Sequence, residues 1–199
     1  MIRTPLALIP YLIAALAVGA GLLWHAGDRL SAANQVASQG EALVGGPFTL
    51  TDQDGHERRA ADFRGRFMLV YFGYSNCPDI CPTTLAVMAD ALDKLGAKAG
   101  RIVPILVTVD PARDTSKILK AYLKAFGPRF VGLTGDANAV ATAARAYRVY
   151  YKKVPLKGGG YAMEHSSHIY LMGPDGKFIA DYDETLGPDG LAAALNKQL

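Results

Sequence analysis

The chain has 199 residues, half of them apolar, enough for one ordinary domain with its own core plus an appendage. Its 21 basic and 18 acidic residues leave a formal charge of +3, too balanced for the clustered basic face that nucleic-acid binding requires. Two cysteines in a chain this long exclude a disulfide-built scaffold and make each cysteine a question of chemistry.

The first thirty residues stand apart. After Arg3 there is no charged residue or histidine until His25. At about 1.5 Å per residue, a helix over residues 4–24 reaches about 30 Å, the thickness of a bilayer's hydrocarbon core. Pro5 and Pro10 lie near its start and Trp24 at its far interface. The leading reading is an uncleaved membrane anchor over residues 1–30. A cleaved signal segment and an ordinary buried helix are the alternatives. Arg3 and the amino terminus favour a cytoplasmic start, which puts the rest of the chain on the outer side of the membrane. Residues 31–42 are small and polar and read as a linker to a domain over residues 43–199.

That domain opens on "PFTLTDQDGHERRAADF", a hairpin by its alternation and its turn. "RFMLVYFGYS" is short and densely apolar, which predicts a buried strand. After the cysteines, Leu85, Met88, Ala89, Leu92 and Leu95 recur at helical spacing, with Gly96 as the terminating residue. "RIVPILVTVD" predicts a second buried strand. Ile118, Leu119, Tyr122, Leu123 and Phe126 then mark a second helix. "RFVGLTG" is a third strand, followed by a helix capped by Asp136. Residues 149–182 read as extended segments around turns at residues 158–160 and 174–176, and a final helix closes the chain. Alternating strands and helices that end on a hairpin predict an α/β sandwich around a mixed central sheet.

The cysteines sit in "GYSNCPDICPTTL", at the junction of the first central strand and its helix, where open α/β sheets usually build their sites. Pro82 suits the first helical position, with Cys81 as the cap. A helix N-terminus stabilises thiolates, so both Cys77 and Cys81 are expected to be reactive, with Asp79 opposing this somewhat. The pair alone leaves two readings level, a thiol–disulfide enzyme and a metal site. Two of the four histidines, His165 and His168, fall together in "YAMEHSSHIYLMGPDG". Two thiolates and one imidazole suit Cu(I) and fall one donor short of a structural zinc site. On a continuous strand, His165 and His168 would point to opposite faces, so spacing does not say which of them takes part.

"GYSNCPDICP", "VTVDPARDT" and "EHSSHIYLMGPDG", in this order and behind an apolar N-terminal segment, resemble the Sco/SenC family of copper chaperones over roughly residues 43–199. The resemblance implies a thioredoxin-like fold with an extra hairpin before the last strands. It implies copper ligands at Cys77, Cys81 and His165, and it selects His165 over His168 by its interval to the Tyr-Leu-x-Gly-Pro-Asp-Gly segment. It places Asp110 near the metal, acting on the ligands without binding. The metal would be Cu(I), with Cu(II) as a further state. The implied function is copper delivery to the binuclear centre of cytochrome c oxidase subunit II, or to another copper-accepting protein. The implied location is a bacterial-type inner membrane, with a single span and the domain on the periplasmic side. The alternative is a thioredoxin-like reductase of that centre's cysteines, and a third reading is a peroxide-reducing or redox-sensing protein. Glu164 and Ser75 stand where the family usually has Asp and Thr, and neither change removes a donor. His168 has no role in the pattern.

Overall fold

The structure, a computed structural model, describes residues 44–199. The anchor expected over residues 4–24 and the linker lie outside them. Among the described residues, no helix is long and apolar enough to cross a membrane.

The core is a seven-stranded mixed sheet in the order β2-β1-β5-β4-β3-β8-β9. At its centre, β3 (Phe67–Gly73), β4 (Ile102–Thr108) and β5 (Val131–Thr134) run parallel. All seven residues of β3 and all seven of β4 are buried, as the unbroken apolar runs require of strands covered on both faces. The opening hairpin, β1 (Thr49–Asp52) and β2 (Glu57–Arg59), extends one edge antiparallel to β5. The closing pair, β8 (Ile169–Met172) and β9 (Phe178–Tyr182), extends the other antiparallel to β3. Among the described residues, a separate hairpin, β6 (Tyr151–Pro155) and β7 (Tyr161–His165), pairs only with itself.

Among the described residues, four α-helices flank the sheet: α1 (Ile80–Leu95), α2 (Ser116–Leu123), α3 (Ala137–Ala146) and α4 (Gly187–Asn196). Helix α1 buries Cys81, Thr84, Leu85, Met88, Ala91 and Leu92, a stripe at 3–4-residue spacing, and packs on α4. Gly96 ends it with φ 57°, a left-handed conformation that costs glycine little. Asp136 caps α3 by accepting the Ala139 N–H at 2.8 Å.

Two local expectations are corrected. Helix α1 starts at Ile80, with Asp79 in the capping position, so Cys81 is inside the first turn and is not the cap. Pro82 is tolerated there because first-turn N–H groups have no intrahelical acceptor. Ile118 is 45 % exposed, because the buried stripe of α2 is Leu119 and Leu123 and Ile118 lies one position round the helix from it.

Candidate metal centre

Strand β3 delivers the chain to the site and ends there at Gly73. A Cβ on Gly73 would sit 2.7 Å from Tyr71 Cε1 and 3.1 Å from Cys81 Sγ, so only a hydrogen fits between the ring and the sulfur. The cysteine loop follows. Its Cys77 N–H donates to the Tyr74 carbonyl at 3.3 Å, and the Cys81 N–H reaches Cys77 Sγ at 3.5 Å. Both cysteines are free thiols, Cys77 half-buried and Cys81 buried.

A second loop, between β4 and α2, holds the first one in place. The Asp114 carboxylate is fully buried and accepts the Ser75 N–H at 3.0 Å, the Ser75 hydroxyl, and the Thr108 hydroxyl at 2.6 Å. A buried carboxylate is expensive unless donors surround it, and these three compensate. Asp110 in the same loop is 3 % exposed and accepts from the Tyr161 phenol at 2.9 Å and from Arg113 Nε. Its hydrogen bonds thus go to the separate hairpin and to Arg113, not to a cysteine or to His165.

His165 is the last residue of β7. Its Nδ1 lies 2.9 Å from the Ser166 carbonyl, to which a ring N–H donates. This assigns the proton to Nδ1 and leaves the Nε2 lone pair facing Cys81 Sγ, 3.4 Å away. Tyr71 and Tyr74 pack against the ring in T-shaped arrangements, with centroids at 6.1 and 5.8 Å. Burial depresses the His165 pKa, with the Ser166 carbonyl partly opposing, so the imidazole is kept in its neutral, ligating form.

Cys77, Cys81 and His165 therefore each offer one donor atom, and these lie within 4.8 Å of one another. Metal–ligand bonds of about 2.0–2.3 Å in a trigonal arrangement place donors about 3.5–4 Å apart, so only small adjustments would close the triangle on an ion. His168 is elsewhere. It is exposed, and its Nδ1 pairs with Asp181 at 2.9 Å. Strand alternation does not relate the two histidines, because β7 stops at His165 and β8 starts at Ile169 in a different sheet.

The expectation of two activated thiols is corrected for Cys81. Burial pushes its thiol up to about 12, outweighing the helix start and the Tyr74 backbone. Buried in this way, the sulfur keeps its proton at neutral pH. Sequence reasoning also passed over Asp114, Arg113, Tyr161, Tyr71 and Gly73. A signal existed for the first two: a second Asp and an Arg follow Asp110 at helical-turn spacing in "VDPARD". Tyr161 had none, since its partner lies fifty-one positions away.

Residues 36–199 match the SCO1/SenC family. The chain belongs to this family. It is 35 % identical over 195 residues to the mitochondrial protein SCO1 homolog 1 of Arabidopsis thaliana, covering 92 % of this chain and 58 % of that protein. The chain thus spans little more than half the length of this curated relative. Among solved structures, it is similar to Bradyrhizobium japonicum ScoI with copper bound, at 42 % identity and TM-score 0.73, covering 78 % of this chain and 99 % of the other. Arabidopsis thaliana ScoI with copper bound is similar at 38 % identity and TM-score 0.75, covering 78 % and 97 %. The described domain has the thioredoxin-like fold of this family, with β6–β7 as the additional hairpin.

Proposed function

We propose that the chain is a membrane-anchored copper metallochaperone that carries one Cu(I) ion on Cys77, Cys81 and His165 and passes it to a copper-accepting protein. The observation that carries this reading is the convergence of two sulfurs and one tautomer-defined imidazole nitrogen within 4.8 Å. Two soft thiolates and an imidazole match the preference of Cu(I), and Cu(II) is a second state the same donors accommodate. The copper in the two solved relatives supports the assignment. The acceptor proposed is the binuclear copper centre of cytochrome c oxidase subunit II. Residues 4–24 would anchor the chain in a bacterial-type inner membrane with the domain over residues 43–199 in the periplasm.

The donors divide the work. Cys81 is buried in the first turn of α1, while Cys77 and His165 are half-buried at the rim. An acceptor can displace the rim donors one at a time, with Cys81 the last to let go. The test is an anaerobic Cu(I) titration of the reduced chain against a competing chelator, with His165→Ala alongside. One tightly held copper, much weakened in the variant, is the expected result. Weak binding unaffected by loss of His165 overturns the reading.

The same asymmetry supports a second reading, a thiol–disulfide reductase of the acceptor's cysteines. Cys77 would be the accessible attacking thiol and Cys81 the buried resolving one. A reductase would keep its activity in His165→Ala, and this separates the two readings.

A further inference from the structure

The three donors are not held equally. Cys77 and Cys81 belong to the loop and helix packed on the main sheet, but His165 rides on a hairpin that shares no strand pairing with that sheet. The hairpin residues are exposed or half-buried throughout, and an open groove of about 330 Å³ separates part of it from the loops that follow β4 and β5. Strand alternation puts Tyr161, Met163 and His165 on one face of β7. Tyr161 is the end of that face farthest from the thiols, about 13 Å along the strand from His165.

Tyr161 is gripped from several sides. Its hydroxyl donates to Asp110 Oδ1 at 2.9 Å. Its carbonyl accepts from Arg113 Nη1 at 3.0 Å, and the Arg113 guanidinium carbon lies 3.8 Å from its ring centroid. The two grips are tied together, because Arg113 Nε donates to the other oxygen of Asp110. Asp110 is itself set by its backbone N–H, which donates to the Thr108 hydroxyl at 2.9 Å. On the outer side, Lys153 of β6 caps the Tyr161 ring at 3.6 Å. One buried carboxylate thus joins the body of the domain to the side chain of a hairpin residue four positions from the third donor.

We propose that Tyr161 is a positioning residue, a latch closed by Asp110 and Arg113 that holds the β6–β7 hairpin so that His165 faces the thiols, and whose opening sets the rate of metal exchange. The proposal rests on the copper reading above for its consequence and on the hairpin's attachment for its cause. Releasing the latch lets His165 swing away on the hairpin while both sulfurs stay where they are. The ion then passes to a two-sulfur state, open to an incoming donor.

Tyr161→Phe tests this, because it keeps the ring and its cation contacts and removes only the hydroxyl. In the full chain without metal, hydrogen exchange of the amides of residues 151–165 should accelerate about tenfold, as loss of a hydrogen bond to a buried carboxylate implies, with β3 and β4 unchanged. With Cu(I) bound, transfer to a bidentate chelator should accelerate by a similar factor. Asp110→Asn, which leaves an acceptor for the phenol but not a charge for Arg113, should fall between. If copper binds as in the parent chain while hairpin exchange and transfer rate are unchanged, the latch is refuted and the copper site stands. If the unaltered reduced chain holds no copper, both fail.

Discussion

Asp114 and Ser75, thirty-nine positions apart, are joined by a buried carboxylate that accepts both the backbone N–H and the hydroxyl of the serine. The bond fastens the cysteine loop to the loop after β4. Its removal should loosen the site from below. Asp114→Ala leaves the donors of Ser75 and Thr108 without their acceptor and should cost about 2–4 kcal/mol of stability. Chemical denaturation of the metal-free chain measures this. Asp114→Asn, which retains an acceptor, should recover part of the loss.

Gly73 is required by space at the site. In Gly73→Ala the new methyl meets the Tyr71 ring and Cys81 Sγ, both fully buried, so neither can retreat into solvent. The expected cost is about 1–3 kcal/mol of stability from overpacking. Copper affinity should fall at the same time because the sulfur is displaced. A variant with parental Cu(I) affinity would show that Cys81 is not held by this contact.

The two histidines should behave oppositely. His165→Ala is expected to lower Cu(I) affinity by about a hundredfold or more, since it removes a donor outright. His168→Ala should leave it within a factor of about two, because His168 faces Asp181 at the exposed end of β9. Chelator competition on both variants decides. Oxidation to a Cys77–Cys81 disulfide removes two donors, so oxidised chain should not compete for Cu(I).

Copper binding should release a proton from Cys81. Its thiol, pushed up to about 12 by burial, is protonated at neutral pH and binds metal as thiolate. Metal and proton therefore compete, and affinity should rise with pH by about tenfold per unit for this one proton. Titration in weakly buffered solution, read by a pH indicator, counts the protons released. Cys81→Ser should remove the step.

Acid stability should depend on Asp52, at the end of β1. Burial alone would raise this carboxyl, but the His56 and Asp54 amides and Arg58, whose Nε lies at 2.8 Å, outweigh it and hold the pKa below the ordinary value. A depressed carboxyl stabilises the fold fully above the unfolded value of about 3.9, and the contribution is lost as pH falls through the lower folded value. Asp52→Asn should therefore lower stability at neutral pH and flatten its loss in acid. Denaturation midpoints at pH 7 and pH 3 give the comparison.

Much of this molecule was written locally. The continuous apolar runs of β3 and β4 allow only strands buried on both faces, and the stripe from Leu85 to Leu92 allows only a helix covered on one side. Gly96 and Asp136 end and begin their helices through bonds to near neighbours, so their roles could be read from position. The three proposed donors were also legible, as two cysteines on one turn and a histidine in a recognisable segment.

What tertiary structure alone decided are the relations between distant residues. His165 and His168 part company because one strand stops and the next joins a different sheet, which leaves one imidazole against Cys81 and the other against Asp181. The high pKa of the Cys81 thiol follows from burial, which overrides the local effect of a helix start. The partners of Asp110, Asp114 and Tyr161 lie across loop closures that no local pattern encodes. Sequence by itself determined the elements and the donor chemistry, because backbone preference and hydrophobic period act over a few residues. Only the folded chain decided which donors meet and what holds them, because burial and hydrogen bonding across the sheet exist only once those elements have packed.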